Sequence, residues 1–525
     1  MKKKSLLVLG LSALLGLVSC GAKEIVHVVD QPLPSDDPTS KVTIEFWHCL
    51  GQQKTKNINK IVNAFNEDPS NVGKYEVVLK AIAGDYGSLA SGLTTNLQGG
   101  TVPAISMGYP DFFSDLITNK ESGSAILRLD SWIDDPVQGF TADEKADFVK
   151  AYYDEGTGYQ FEGTWSLPMY KSTEVLYFNQ SFFMGVNGMN EKKFENDSEF
   201  QSLKTLAKDM DDLENIDTHL ANLKTWLNNH DGYTYEVPTS WAEMFATASK
   251  IKKDWNSYNL GSDFIPVGYD SDSNLMITQL AQRGFGYTTN ENIKSEADHY
   301  IFNNDNTVKL VEEIMGYYNS GLLTTKGISG SYTSDIFAEE KCVMSIGSTG
   351  GSTYQDSTSF IPGIAPVPCF NPDDVLAYNQ TTNEYSLTTK GDADKTVRKY
   401  IQQGPSICFF DNQNDYINKG AWKFYKALAN KENNARVSFE NSYDPVVNSA
   451  YTTEFYETET AKANQHYGLK YDIPAVTKTL KQYYMTSAVF KGSQNARDQI
   501  GGILLKVKNG STAAGAVARA YNACY

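Results

Sequence analysis

The chain has 525 residues, of which 41% are hydrophobic, 12% aromatic and 21% charged, a globular composition that excludes a wholly disordered chain. Forty-six basic residues against 63 acidic ones give a formal charge of −17. Such a surface repels phosphate backbones and anionic lipid, which argues against nucleic acid as a partner and leaves only covalent or protein-mediated membrane attachment.

The N-terminus starts with Met1-Lys2-Lys3-Lys4-Ser5, continues through an apolar stretch from Leu6 to Val18, and ends at Ser19-Cys20. A basic start, a short apolar core and a small-residue site are the marks of a secretory signal, too short for a comfortable membrane span. Leu17-Val18-Ser19-Cys20 resembles the lipobox of bacterial lipoproteins. The resemblance implies that residues 1–19 are a signal peptide, cut before Cys20, and that Cys20 carries a diacyl anchor. Two acyl chains hold a protein at a membrane where one is marginal. Residues 20–40 then form the lipidated N-terminus and a flexible tether, with three prolines between Asp30 and Ser40. Cys49, Cys342, Cys369, Cys408 and Cys524 remain, widely spaced and without a CxxC pair, allowing at most two disulfides.

Along the chain, Val42, Ile44 and Phe46 alternate as in a strand, and Trp47 to Gly51 follow as a loop. Ile58, Ile61, Val62 and Phe65 form a helical stripe. Tyr75, Val77 and Leu79 alternate again, Gly84 to Gly87 turn into a helix carrying Leu89, Leu93 and Leu97, and Pro103 to Met107 is the next strand. Strand, helix, strand, helix, strand implies a parallel α/β sheet, whose ligand loops lie beyond the carboxyl ends of the strands. Residues 187–236 are polar and look inserted, Ser240 to Glu243 match a capping box, and Val343 to Ile346 is a strand ended by Gly347 to Gly351. Residues 371–396 predict an exposed hairpin or loop, and Gln403 to Phe410 a strand. Ile417, Ala421, Phe424 and Leu428 make another helical face, residues 443–449 a break, and the tail is helical.

Motifs for catalysis are missing from the sequence. There is no HExxH, GxSxG or Walker A pattern, and Gly347 to Gly351 lack the ending of a phosphate loop. Asp270, Asp272 and Asn274 open with calcium-loop spacing, but Leu275 and Ala281 stand where a glycine and a carboxylate belong. The six histidines offer no metal pair. No catalytic residue, metal or cofactor is therefore expected. The positive signal is aromatic: 32 Tyr, 25 Phe and 7 Trp. An aromatic face covers the C–H side of a sugar ring while neighbouring Asp, Asn and Ser bind its hydroxyls. Trp47, Tyr86 and Tyr109 stand out because they fall at predicted strand ends.

Seven stretches, in order, resemble the family 1 extracellular solute-binding lipoproteins of ABC importers, which include the maltose-binding proteins. They are VTIEFWHCLGQQKTKNINKIVNAFN (42–66), the 83–112 segment with its glycine-x-Pro step, WSLPMYKSTEVLYFNQSFF (165–183), TSWAEMFATASKI (239–251), FAEEKCVMSIG (337–347), the AWKF helix and return (421–445), and the C-terminal helices (493–517). The chain departs from that pattern at Pro103-Ala104 and Glu340-Lys341, and Tyr354 is the aromatic nearest to a position where the family often has Trp.

The resemblance implies an α/β, two-lobed periplasmic-binding-protein fold with three inter-lobe crossovers and a ligand cleft between the lobes. The expected lobes are 41–170 plus 403–442 and 171–402 plus 443–525. It further implies a monomer that is not an enzyme. Such a protein captures a mono- or oligosaccharide outside the cytoplasm, at the cell surface or in the periplasm, and delivers it to ABC permease subunits. Candidate ligand-binding residues are Trp47, His48, Tyr86, Tyr109 and Asp111 from the first lobe, Tyr170 at a crossing, and Tyr287, Ser348, Thr349 and Tyr354 from the second. The competing readings are import of a polyol, glycerol phosphate or peptide, a surface glycan-binding adhesin, and a surface glycosidase or esterase.

Overall fold

A computed structural model describes residues 32–117, 125–180, 183, 235–257, 263–357, 360, 362–463 and 469–525. Its strands, in chain order, are β1 (Val42–His48), β2 (Tyr75–Ala81), β3 (Ile105–Gly108), β4 (Leu167–Pro168), β5 (Ser172–Asn179), β6 (Val267–Tyr269), β7 (Leu323–Thr325), β8 (Met344–Ser348), β9 (Pro362–Pro366), β10 (Val375–Asn379), β11 (Glu384–Thr389), β12 (Tyr400–Gln403), β13 (Ser406–Phe409) and β14 (Tyr484–Met485).

The first sheet runs β2-β1-β3-β13-β4, with β1 parallel to β2 and β3, and β13 antiparallel between β3 and β4. The predicted stripe of the first helix holds: Gln52–Glu67 turns Ile58, Ile61, Val62 and Phe65 inward, where Phe65 meets Phe424 edge-on at 5.4 Å. The second sheet runs β14-β12-β5-β8-β6-β7, with β9 also on β5. All eight residues of β5 are buried, as expected of a strand covered on both faces.

Two hydrophobic cores form. One collects residues from Leu33 to Tyr170 and from Ile407 to Tyr456; the other collects Val175 to Ile401 and Phe490 to Cys524. Two crossings lie at Tyr170–Ser172 and Gln403–Ser406, between strands of different sheets. The predicted strand 403–410 begins at the last residue of β12 and, past Gly404-Pro405, contains β13, which lies in the other sheet. Gly404 has φ +97°, and a Cβ there would sit 2.7 Å from the Tyr170 carbonyl oxygen, so only glycine fits this joint. Tyr443 and Ala450, expected in the second lobe, belong to the first core. Val446, Val447 and Tyr456 pack there too, held by a Val149 N–H bond to the Val446 carbonyl; beyond them Leu469 and Leu480 join the second core while Tyr471 and Val489 join the first. Lys171 and Asp444 exchange backbone hydrogen bonds at 3.0 and 2.6 Å. The Lys171 ammonium pairs with Glu155 and donates to the Gly404 carbonyl and Ser406 hydroxyl, tying the crossings together.

The expected tether is partly anchored. Leu33 is buried, and the Asp37 carboxylate takes Lys74 at 2.7 Å and Lys419 at 3.1 Å. These contacts, Lys74 first, hold Asp37 well below the usual carboxylate range. The predicted hairpin is β10–β11, whose Tyr385 N–H donates to Ser249 on the helix Trp241–Ser257. Ser240 and Glu243 form the expected reciprocal cap. The expected insertion at 187–236, except 235 and 236, lies outside the described residues, as does Cys20. Cys49, Cys342, Cys369, Cys408 and Cys524 are free thiols. Among the described residues no helix is long and apolar enough to cross a membrane.

Candidate functional site

A cavity of about 940 Å³ opens between the two sheets. Its first wall is the turn Gly84–Ser88 after β2 and Tyr109 after β3. Its second wall comes from Glu174 on β5, Asp270, Ser271 and Asn274 after β6, Lys326, Tyr332, Ser334 and Asp335 after β7, Ser348, Gly350, Gly351 and Tyr354 after β8, and Arg497. Ser172, Gln403 and Tyr443 line it near the crossings. It therefore sits beyond strand ends, where α/β sheets bind ligands.

The first wall is built by capping. The Asp85 carboxylate accepts the Ser88 N–H at 3.0 Å and starts the helix Tyr86–Gln98, which sets Tyr86 against Tyr109 with ring centroids 4.4 Å apart. That backbone bond also lowers the Asp85 pKa. Across the cavity, the Lys326 ammonium lies 3.7 Å over the Tyr332 ring. Tyr354 is 65% exposed, an apolar face held in water. Lys54, from the first helix, reaches over the Tyr443 ring and donates to the Gly350 carbonyl on the glycine run of the opposite lobe.

The second wall carries a buried polar chain. Glu174 is 2% exposed and accepts from Tyr269 Oη at 2.6 Å and Asn274 Nδ2 at 2.8 Å. Arg497 donates to Asn274 Oδ1 and lies 3.8 Å from Asp111 Oδ2. Burial pushes the Glu174 carboxyl up to about 7 against the pull of Tyr269, Asn274 and Arg497. Asp270, raised by burial, accepts from Thr333 N and Ser334 N, and Asp272 accepts from Thr325 Oγ1 and Gly327 N. The calcium-like trio is thus spent on helix starts and on Glu174, and the described residues hold no group of three metal-ligating side chains.

Of the ten sequence candidates, Tyr86, Tyr109, Ser348 and Tyr354 line the cavity. The other six do not. Trp47 and His48, expected in a loop, are the last residues of β1, because pairing with β2 continues to Ala81. Trp47 is fully buried, and its indole donates to Glu45; His48 is buried with Nδ1 accepting from Leu50 N. Asp111 sits behind Tyr109, beside Arg497. Tyr170 is buried behind Tyr443, ring centroids 4.2 Å apart, so Tyr443 takes the cavity face. Tyr287 is buried in the second core, and Thr349 is buried while its neighbours Gly350 and Gly351 line the cavity. Sequence reasoning missed Glu174, Asn274, Lys326, Tyr332, Gln403, Tyr443 and Arg497 as wall residues. One signal was available: Glu174 is the only charged residue in the run Ser172–Asn179.

Two lobes around a polar and aromatic cleft, joined by short crossings, define a two-lobed solute-binding fold. A family model described as bacterial extracellular solute-binding protein matches residues 60–464, so the chain belongs to that family. It is similar in structure to the GacH receptor of Streptomyces glaucescens, solved unliganded and with acarbose (TM-score 0.61, 14% identity, 93% of this chain and 98% of that chain). It is also similar to UgpB of Mycobacterium tuberculosis, solved with glycerophosphocholine (TM-score 0.62, 14% identity, 92% and 97% covered). A third match is the MalE domain of Bdellovibrio bacteriovorus, solved with maltotriose (TM-score 0.60, 13% identity, 92% and 98% covered). Identities this low carry the fold alone. No curated protein sequence matches the chain significantly.

Proposed function

We propose that the protein captures a neutral carbohydrate of oligosaccharide size in the interlobe cleft and delivers it to the permease subunits of an ABC importer. The carrying observation is the composition of the wall. Tyr86, Tyr109, Tyr332, Tyr354 and Tyr443 offer aromatic faces, while Asp85, Glu174, Asp270 and Asp335 outnumber Lys326 and Arg497. Aromatic faces suit sugar C–H surfaces and carboxylates accept sugar hydroxyls. A phosphate would meet four carboxylates, and Arg497 is already engaged by Asn274 and Asp111. The volume stands near the upper end of the ~300–1,000 Å³ usual for small-molecule pockets, which favours more than one sugar ring.

Tyr86 and Tyr109 stack on the solute from the first lobe, and Ser348, Tyr354, Glu174 and Asn274 engage it from the second. A ligand touching both walls favours closure through its differential affinity for the closed state. The protein works as a monomeric binding protein without turnover, held outside the cytoplasm by acyl chains on Cys20. A thermal-shift screen against mono- and oligosaccharides, polyols, glycerophosphocholine and peptides tests the solute class. A selective binder at a hundredfold excess over its Kd adds about 2.7 kcal/mol of stability. A response confined to glycerophosphocholine or peptides overturns the carbohydrate reading.

A further inference from the structure

Behind the cleft lies a second, much smaller chamber of about 40 Å³. Tyr109, Gln403 and Arg497 line both spaces, so the chamber adjoins the cleft across these three residues. Its wall holds Asp111 and Gln402, which are 9% and 6% exposed. Among the described residues, Asp111 Oδ1 and both polar atoms of the Gln402 amide, Oε1 and Nε2, have no hydrogen-bond partner. Buried polar atoms are normally paired, because leaving them unmet forfeits the full desolvation penalty. Three such atoms, on two residues that line one chamber, mark a place where a polar group would be met.

The chemistry of that group follows from the wall. Asp111 Oδ1 and Gln402 Oε1 can only accept, and Gln402 Nε2 can only donate. Asp111 and Glu155 set two carboxyl groups against the one guanidinium of Arg497, itself engaged by Asn274 and Asp111, which disfavours an entering anion. A hydroxyl both donates and accepts, and is neutral. One water needs roughly 10–15 Å³ of such space, so the chamber has room for a hydroxymethyl group but not for a sugar ring.

We propose that this chamber is a specificity subsite that takes a hydroxymethyl or single hydroxyl group of the cleft-bound sugar, with Gln402 donating and accepting and Asp111 accepting. The inference rests on the carbohydrate reading of the cleft and deepens it. Gln402 is the discriminating residue. It lies on β12 beside the crossing, where its neighbour Gln403 reaches the main cavity.

The test compares sugars that differ only at this group. Full-length chain purified in detergent is titrated calorimetrically with D-glucose, D-mannose, D-galactose and maltotriose, each against its 6-deoxy counterpart. The subsite predicts a preference of about tenfold or more for the hydroxylated member of a bound pair, since a buried polar site left unmet rejects the analogue. Gln402→Met, similar in length but unable to hydrogen-bond, erases that preference, as does Gln402→Leu. Thermal melts of both variants confirm folding, and a crystal structure of the wild type with the preferred sugar locates the hydroxyl. Equal affinity for both members of each bound pair, a preference that survives in a folded variant, or a chamber holding only water in that crystal structure overturns the subsite while leaving the carbohydrate reading intact. Binding of none of these sugars, with a response to a non-sugar solute, overturns both.

Discussion

Replacing Glu174 by glutamine should make the protein more stable at neutral pH and worse at holding its solute. Glu174 sits 2% exposed in an otherwise uncharged, fully buried strand. Burial raises its carboxyl from 4.5 to about 7 in the folded protein. The folded state therefore holds a proton that the unfolded chain has released. Stability is greatest below about 4.5, falls as pH rises towards 7, and levels off above. A shift of this size corresponds to about 3 kcal/mol of destabilisation by the ionised side chain at pH 8. The substituted amide would keep an acceptor for Tyr269 but lose one oxygen facing Asn274, at a cost of about 1 kcal/mol. The expected net gain is about 1–2 kcal/mol at pH 8 and nothing, or a slight loss, at pH 5. Parallel thermal melts of wild type and Glu174→Gln from pH 5 to 8.5 measure it. A gap that does not widen with pH, or a variant less stable at pH 8, would refute the reasoning. Either result would show that Tyr269, Asn274 and Arg497 outweigh desolvation. Affinity should move the opposite way, because the same carboxylate lines the cleft.

Tyr109→Ala removes the ring that backs Tyr86 and should weaken solute binding about tenfold or more, read by calorimetry. Lys171→Met leaves Glu155 nearly buried without its cation and should cost about 3–5 kcal/mol of stability, seen as a lowered denaturation midpoint. Pairing it with Glu155→Leu should recover most of that loss. Lys54→Met removes the bond from the first lobe to Gly350 and should raise the solute off-rate in stopped-flow fluorescence, with little change in the melting of the solute-free protein. Gly350→Ala places a methyl 2.5 Å from the Tyr443 ring, which must shift, and should lower affinity without unfolding the chain.

Much of the first sheet was legible because alternation and helical stripes report one buried face each. The same rule misplaced Trp47 and His48. β1 ends with Phe46, Trp47 and His48 all buried, so its alternation stops before its pairing does. The run from 403 to 410 read as one strand on its apolar end Ile407 to Phe410; Gly404-Pro405, a turn signal inside it, marks where the chain changes lobe. The cleft was half legible. Tyr86 and Tyr109 follow strand ends that local pattern reveals, whereas Asn274, Tyr332 and Arg497 meet only through tertiary packing. Tyr170 and Tyr443 are both tyrosines at crossings, and nothing in their neighbours tells which ring faces the cavity and which lies behind.

The placing of β13 between β3 and β4 governs the order in which this chain can mature. A ribosome or translocation channel that has released residues 1–400 has released a first sheet with a gap in its middle: β3 and β4 do not pair with each other, and Ser406–Phe409 has yet to arrive. The second sheet waits longer still, for Tyr484–Met485 and the helices that follow. Contacts so distant in sequence form slowly, because loop closure must precede any pairing. The nascent polypeptide thus stays threadable until almost all of it has emerged. A chain ended before residue 406 lacks the strand between β3 and β4 as well as the C-terminal helices of the second core, so neither lobe would be complete.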